Sequence, residues 1–215
     1  MTRREQVEVA VVNAAKEMAG RGLTRGTSGN VSARVDDGMW VTPSAVPYAA
    51  MEPRDLVLLD LEGRTLQGDR KPTTEWPMHA AIYRARRDVG AVVHAHAPFC
   101  TTLATLRRGI PAFHYMVAVA GADSIRCSSY ATFGTPELAA AAVDALRDRR
   151  ACLLANHGMM ALGDSPAAAL ELATEVETLA ELYWRALQIG EPELLTAEQM
   201  AEALDRFRSY WTANQ

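Results

Sequence analysis

Gly90-Ala91-Val92-Val93-His94-Ala95-His96 is apolar and β-branched up to its first histidine and alternates from there. A valine-rich run this short reads as a buried strand. Side chains two apart on a strand share a face, so His94 and His96 can reach one point in space. A second apolar run, Ala151-Cys152-Leu153-Leu154-Ala155, ends in Asn156-His157-Gly158, and Met159 to Leu162 continues as a further strand. Three imidazole nitrogens brought together by strand ends, with a position left open, is the layout of a catalytic zinc site. His-x-His alone is a weak signal; His157 and the carboxylate of Glu75 strengthen it.

Working outward, Thr2-Arg3-Arg4-Glu5 is a capping box that opens a helix, ended by Gly20 and Gly22. Val31, Ala33 and Val35 alternate, Asp36-Asp37-Gly38 turns, and Met39-Trp40-Val41 returns, so a hairpin is expected. Val57 to Leu61 is another strand, with Glu62-Gly63 as its turn. Helices are expected from about Thr73 to Arg86, Pro98 to Leu106, Pro136 to Arg147, Ser165 to Ile189, and after the box Thr196-Ala197-Glu198-Gln199. No repeat or linker interrupts the pattern. The fold class is α/β (α+β): one domain over residues 1–215, a mainly antiparallel central sheet covered by helices.

Composition narrows the function. The chain has 215 residues, 49% of them apolar, enough for a real core. A net charge of −4 offers no electrostatic footprint for nucleic acid or an anionic membrane. The arginine clusters Arg84 to Arg87 and Arg147 to Arg150 fall near helix ends, where cations suit the dipole. Cys100, Cys127 and Cys152 are odd in number and form no C-x-x-C pair, which suits a reducing cytoplasm. No stretch is long and apolar enough for a membrane span, and Lys16 and Glu17 interrupt any export signal.

Three clusters of donors precede or follow the expected strands: Thr27, Gly29 and Asn30 in the Gly26-to-Asn30 loop, Thr42-Pro43-Ser44, and Thr73-Thr74 at a helix start. Each alone is an ordinary turn or cap. Together, beside a metal site, they lead to the expectation of a phosphate pocket. P-loop and Gly-x-Gly-x-x-Gly signatures are absent, so no nucleotide is indicated. Glu75 complements a helix start, and near a metal it is either a ligand or a proton-transfer base. His79, one turn beyond on the same face, and His114 fall outside the ligand spacing and read as structural.

Thr27-Ser28-Gly29-Asn30, Thr42-Pro43-Ser44, Thr73-Thr74-Glu75, His94-Ala95-His96, His114-Tyr115-Met116 and Asn156-His157-Gly158 follow one another in the order of the class II aldolase/adducin family. The resemblance covers nearly the whole chain, including Ser129-Tyr130-Ala131-Thr132-Phe133-Gly134 and the tail Phe207-Arg208-Ser209-Tyr210. It implies a zinc-dependent lyase that reversibly splits a ketose 1-phosphate, such as L-fuculose 1-phosphate, into dihydroxyacetone phosphate and a small aldehyde such as L-lactaldehyde. His94, His96 and His157 would hold one Zn2+ per subunit. Glu75 would be a fourth ligand that leaves when substrate arrives and then moves protons. Thr27, Asn30, Ser44, Thr73 and Thr74 would hold the phosphate, with Gly29 letting the backbone approach. Tyr115, offered by a neighbouring subunit, would protonate the departing aldehyde. Phe133, Phe207 and Tyr210 would line the aldehyde end. Family members of this kind are C4 homotetramers with sites at subunit interfaces.

The chemistry agrees with the resemblance. Cleavage beside a ketone leaves an enediolate, whose charge calls for a Lewis acid. A Schiff-base lysine is then unnecessary, and Lys16 and Lys71 are the only lysines. Two departures bear on the sugar. Ala45 stands where the sugar-phosphate aldolases carry glycine, and Thr73-Thr74 replaces a serine pair. Aldolases of 5-deoxypentulose or methylthiopentulose 1-phosphates are therefore rivals, as is a dehydratase acting on a methylthioribulose phosphate. L-Ribulose-5-phosphate 4-epimerases share the histidines but carry Asp in place of Glu75. A non-catalytic adducin-like interaction domain would dispense with the metal ligands, all of which are present here.

Overall fold

Our computed structural model describes residues 1–36 and 38–213, with side chains through residue 209. The opening box forms as expected: Thr2 Oγ1 accepts the N–H of Glu5, whose carboxylate accepts the N–H of Thr2. It starts α1 (Arg3–Gly20). The hairpin follows as β1 (Asn30–Val35) and β2 (Gly38–Val41); Asp37 of its turn lies outside the described residues. Next come β3 (Val57–Leu59), β4 (Thr65–Gln67), α2 (Trp76–Ala85), β5 (Ala91–Ala95) and α3 (Pro98–Thr105). A 3-10 helix, Tyr115–Ala120, leads to β6 (Arg126–Cys127), α4 (Pro136–Ala145), β7 (Ala151–Leu154), β8 (Gly158–Gly163), α5 (Pro166–Leu187) and α6 (Ala197–Ala213).

All eight strands join one sheet in the order β4-β3-β2-β1-β5-β8-β7-β6. Only β6 and β7 run parallel, so the sheet is mainly antiparallel. Helices cover both faces, and the inner strands bury alternate side chains in two separate cores. Val31, Ala33, Val93 and Leu153 pack with α1, α3 and α5 on one side. Met39, Val41, Val92 and Met160 pack with Met78, Ile82 and Tyr83 of α2 and Leu138 of α4 on the other. β5 lies in the middle, flanked by β1 and β8. Its register pairs His94 with Asn30 on one side and Met160 on the other, which puts all three side chains on the face covered by α2 and α4. A slip of one residue would turn His94 into the opposite core.

Expected boundaries moved for local reasons. The Val57 strand stops at Leu59 because Asp60 Oδ1 accepts the N–H groups of Glu62 and Arg64, closing a turn. α2 starts at Trp76 rather than Thr73, since the Thr73 N–H donates to Thr42 O and Glu75 is the N-cap. α4 ends at Ala145, and Asp148, with φ 62°, breaks the chain beyond it. α5 ends at Leu187 instead of Ile189. β4, β6 and the 3-10 helix were not anticipated. α3 lacks a cap of its own; Glu177 on α5 accepts the N–H groups of Phe99 and Cys100, both at 2.8 Å, just after His96. No helix among the described residues is long and apolar enough to cross a membrane.

Candidate functional site

The side chains of His94 and His96 point the same way, as the alternation requires, and their Nε2 atoms lie 3.1 Å apart. His157 sits in the turn between β7 and β8 and brings the third ring. The three ring centroids are 4.8 to 5.0 Å from one another, with the planes set edge to face. Glu75, at the foot of α2, closes the group: Oε2 is 3.2 Å from His94 Nε2 and Oε1 is 3.2 Å from His157 Nε2. One ligand atom from each of the four residues falls within 4.8 Å of all the others.

Donor chemistry shows that this group fits a divalent cation. His94 Nδ1 lies 2.9 Å from the Met159 carbonyl oxygen, which can only accept, so Nδ1 carries the proton and Nε2 turns a lone pair inward. Glu75 Oε1 is buried without a properly aligned hydrogen bond, although His157 Nε2 stands beside it. An orphaned buried carboxylate oxygen calls for a partner. A tetrahedral ion with bonds of about 2.0–2.1 Å needs donors roughly 3.3 Å apart, close to the 3.1 Å between His94 and His96 and the 3.2 Å from Glu75 to His94 and to His157.

The electrostatics agree. Burial opposes charge on Glu75, but the His94 and His157 imidazoles prevail and hold its carboxyl below the usual carboxylate range. Burial disfavours a proton on His94, and the Glu75 carboxylate outweighs it, raising that ring. A proton and a metal ion would thus compete for one Nε2 lone pair. Burial, reinforced by His94 and His157, pushes His96 down to about 4.

Glycines allow the close approach. Gly29 has φ +76°, and a Cβ there would stand 2.6 Å from the His94 carbonyl oxygen. At Gly158 a Cβ would be 2.4 Å from Ala95 O and 3.1 Å from His96 Cδ2. Asn156, just before His157, is left-handed, φ 55°, and its Nδ2 donates to Thr105 O. Asn is among the few residues that accept this conformation.

Beside Glu75, His96 and His157 opens a cleft of about 350 Å³. Thr27, Gly29, Asn30, Ser44, Thr73 and Thr74 all line it, so the three donor clusters converge. No Lys or Arg lines it among the described residues. Asn30 is nearly fully buried, and its Nδ2 donates to Thr73 Oγ1 (3.1 Å) and Glu75 Oε2 (3.0 Å). Thr73 Oγ1 also accepts the N–H of Glu75, which leaves its own proton for another acceptor. Ser44 Oγ donates to Pro72 O. Ala45 lines the cleft with φ 60°, the backbone conformation for which glycine is suited.

Phe133 stands at the rim with Tyr130, which the sequence reading had not singled out as a site residue. Only its place three residues before Phe133 hinted at it. Tyr115 and Phe207 lie elsewhere. Tyr115 is 54% exposed and stacks on Phe207 with centroids 6.3 Å apart, in a separate groove formed with α6. The side chain of Tyr210 lies outside the described residues.

Comparison with known proteins supports the same conclusion. Residues 9–184 match the family described as Class II Aldolase and Adducin N-terminal domain. A 5-methylthioribulose-1-phosphate/5-deoxyribulose-1-phosphate aldolase of Rhodospirillum rubrum is 53% identical, over 93% of this chain and 90% of its own. An L-fuculose phosphate aldolase of Escherichia coli is 43% identical, over 96% of both chains. The solved structure of an L-fuculose 1-phosphate aldolase superposes with a TM-score of 0.91 at 39% identity, covering 94% of this chain and 96% of the other. The chain belongs to the class II aldolase and adducin family, as a metal-dependent aldolase, a carbon–carbon lyase.

Proposed function

We propose that the protein reversibly cleaves a ketose 1-phosphate to dihydroxyacetone phosphate and a small aldehyde. The observation that carries this reading is the orphaned Glu75 oxygen among three convergent imidazoles, facing a hydroxyl-lined cleft. His94, His96 and His157 would hold Zn2+, with Glu75 as the resting fourth ligand; the ion would supply a Lewis acid for the charge left on the ketone oxygen. Glu75 is the base that moves the proton at the reacting carbon. Thr27, Ser44 and Thr74 face the phosphate, and the free proton of Thr73 suits one of its oxygens. Asn30 reaches the phosphate only by giving up a bond it now makes, and the one to Thr73 Oγ1 can be exchanged while the one to Glu75 is kept.

Tyr115 cannot serve the cleft of its own chain from where it stands, beside Phe207. It protonates the departing aldehyde oxygen in the cleft of a neighbouring subunit, within a C4 homotetramer. Phe133 of one subunit, with Phe207 and Tyr210 of the next, forms the aldehyde end. The whole chain, 1–215, serves as the single domain of this cytoplasmic enzyme.

Two substrate readings stand in order. The 53% identity to the Rhodospirillum protein favours 5-deoxyribulose and 5-methylthioribulose 1-phosphates. L-Fuculose 1-phosphate is the second reading, supported by the 43% identity and the TM-score of 0.91. The test is release of dihydroxyacetone phosphate from all three, with and without a chelator. Zinc-dependent release from at least one is expected. Stoichiometric metal without cleavage of any would refute the reading, and release that survives metal removal would refute the role of the ion.

A further inference from the structure

His79 is the one histidine of the neighbourhood that offers nothing to the metal group, yet it is fully buried on the inner side of α2. Its hydrogen bonds can be assigned by elimination. The Asn30 amide nitrogen donates to Glu75 Oε2 at 3.0 Å. The second amide hydrogen goes to Thr73 Oγ1. Asn30 Oδ1 therefore faces His79 Nε2, at 2.5 Å, and that nitrogen must be the donor. His79 Nδ1 is then an acceptor and takes the proton of Ser32 Oγ at 2.7 Å, while Ser32 accepts from the Tyr83 hydroxyl at 2.8 Å. Every proton in this row has one place to go.

The row is not needed to fill space. Met78, Ala80 and Ile82 beside it pack as ordinary apolar side chains, and an apolar residue at 79 could do the same. What the row fixes is the sense of the Asn30 amide. Turned by half a revolution, Asn30 would set its carbonyl oxygen against the Glu75 carboxylate, two acceptors face to face. Burial, aided by His94, pushes His79 down to about 3, so the ring stays neutral and its tautomer is set by its neighbours.

We propose that His79 is a positioning residue: its Nε2–H locks the Asn30 amide so that an N–H grips Glu75 and aims the carboxylate at the reacting centre. The inference rests on the reading of Glu75 as the base. An apolar or reversed partner at Asn30 would leave Glu75 present but misdirected, a defect in turnover rather than in binding.

Neutron diffraction from crystals of the metal-loaded protein exchanged into D2O tests the assignment without reference to any substrate. Deuterium on Nε2 of His79 and none on Nδ1, with the Asn30 ND2 group toward Glu75, is expected. Deuterium on Nδ1, or the opposite Asn30 orientation, overturns the proposal even if the enzyme cleaves ketose 1-phosphates. Kinetics of hydrogen exchange on dihydroxyacetone phosphate test the consequence. His79→Gln places an amide nitrogen near the position of Nε2 and keeps a donor for Asn30; His79→Asn reaches only as far as Nδ1, where its carbonyl oxygen accepts from Ser32 and no donor is left for Asn30. His79→Asn should lower kcat about 10- to 100-fold with KM nearly unchanged, the effect of one hydrogen bond to a charged group. His79→Gln should stay within about threefold of the parent. Equal losses in the two variants, or a change confined to KM, overturns the role. If neither variant folds by thermal melting, the neutron map decides. Absence of exchange in the parent would instead remove the proposed aldolase reading and leave the map to be judged alone.

Discussion

Gly29→Ala would press on the proposed metal group through the backbone of His94, leaving every proposed ligand side chain unaltered. Two costs follow from the structure. Alanine at φ +76° pays roughly 1–2 kcal/mol for left-handed backbone. Its Cβ would also lie 2.6 Å from the carbonyl oxygen of His94, a backbone atom that no rotamer change can move. Ordinary carbon–oxygen contact begins near 3.3 Å, so β1 and β5 must part by about 0.7 Å at this point, which as overpacking costs about 1–3 kcal/mol. Lower freedom of the unfolded chain returns about 0.4–1 kcal/mol. The net loss is about 1–5 kcal/mol, or a Tm lower by roughly 2–18 °C for a chain of this size. Metal sites tolerate only about 0.2 Å of ligand displacement, so zinc affinity should fall about 10- to 100-fold as well. Calorimetry of the metal-free protein and zinc titration against a competing chelator measure the two separately. A variant that loses stability but keeps zinc affinity within about threefold would refute the claim that Gly29 sets the place of His94.

Other substitutions test other links. Ala45→Gly relieves a φ of 60° and should raise Tm by about 1–4 °C, the strain recovered outweighing the added freedom of the unfolded chain; a lower Tm would show that Ala45 is not strained. Glu75→Gln should keep stoichiometric metal at saturating zinc while hydrogen exchange on dihydroxyacetone phosphate drops about 10²- to 10⁴-fold, and unimpaired exchange would remove it as the base. Tyr115→Phe should cut cleavage by a similar factor, about 10²- to 10⁴-fold, and spare exchange, because it acts on the aldehyde half; matched losses in both assays would count against it.

The strand that carries His94 was legible because alternation is a property of the chain itself. Valines on successive positions feed the two cores, and the histidines follow in phase. Capping boxes at Thr2 and Thr196 were legible for the same local reason. Ala45 was legible through the resemblance, and its positive φ confirms that the position wants glycine. β4 was hidden because Thr65, Leu66 and Gln67 are all exposed, and β6 because two residues carry no period. The row from Tyr83 to Glu75 was out of reach for a deeper reason. The i,i+4 spacing put His79 and Glu75 on one face, but only the pairing of Asn30 with His94 across β1 and β5 supplies the group that links them.

Asn30 and His94 face each other near the middle of an eight-stranded sheet, with helices on either side. Strands so placed open only when the whole molecule unfolds. Loading the ion should therefore resemble docking onto a finished frame, unlike small zinc modules that are disordered until they bind. Stripping the metal should leave the far-ultraviolet circular dichroism unchanged. The emptied protein should then take up cobalt or manganese by simple equilibration, with no refolding phase.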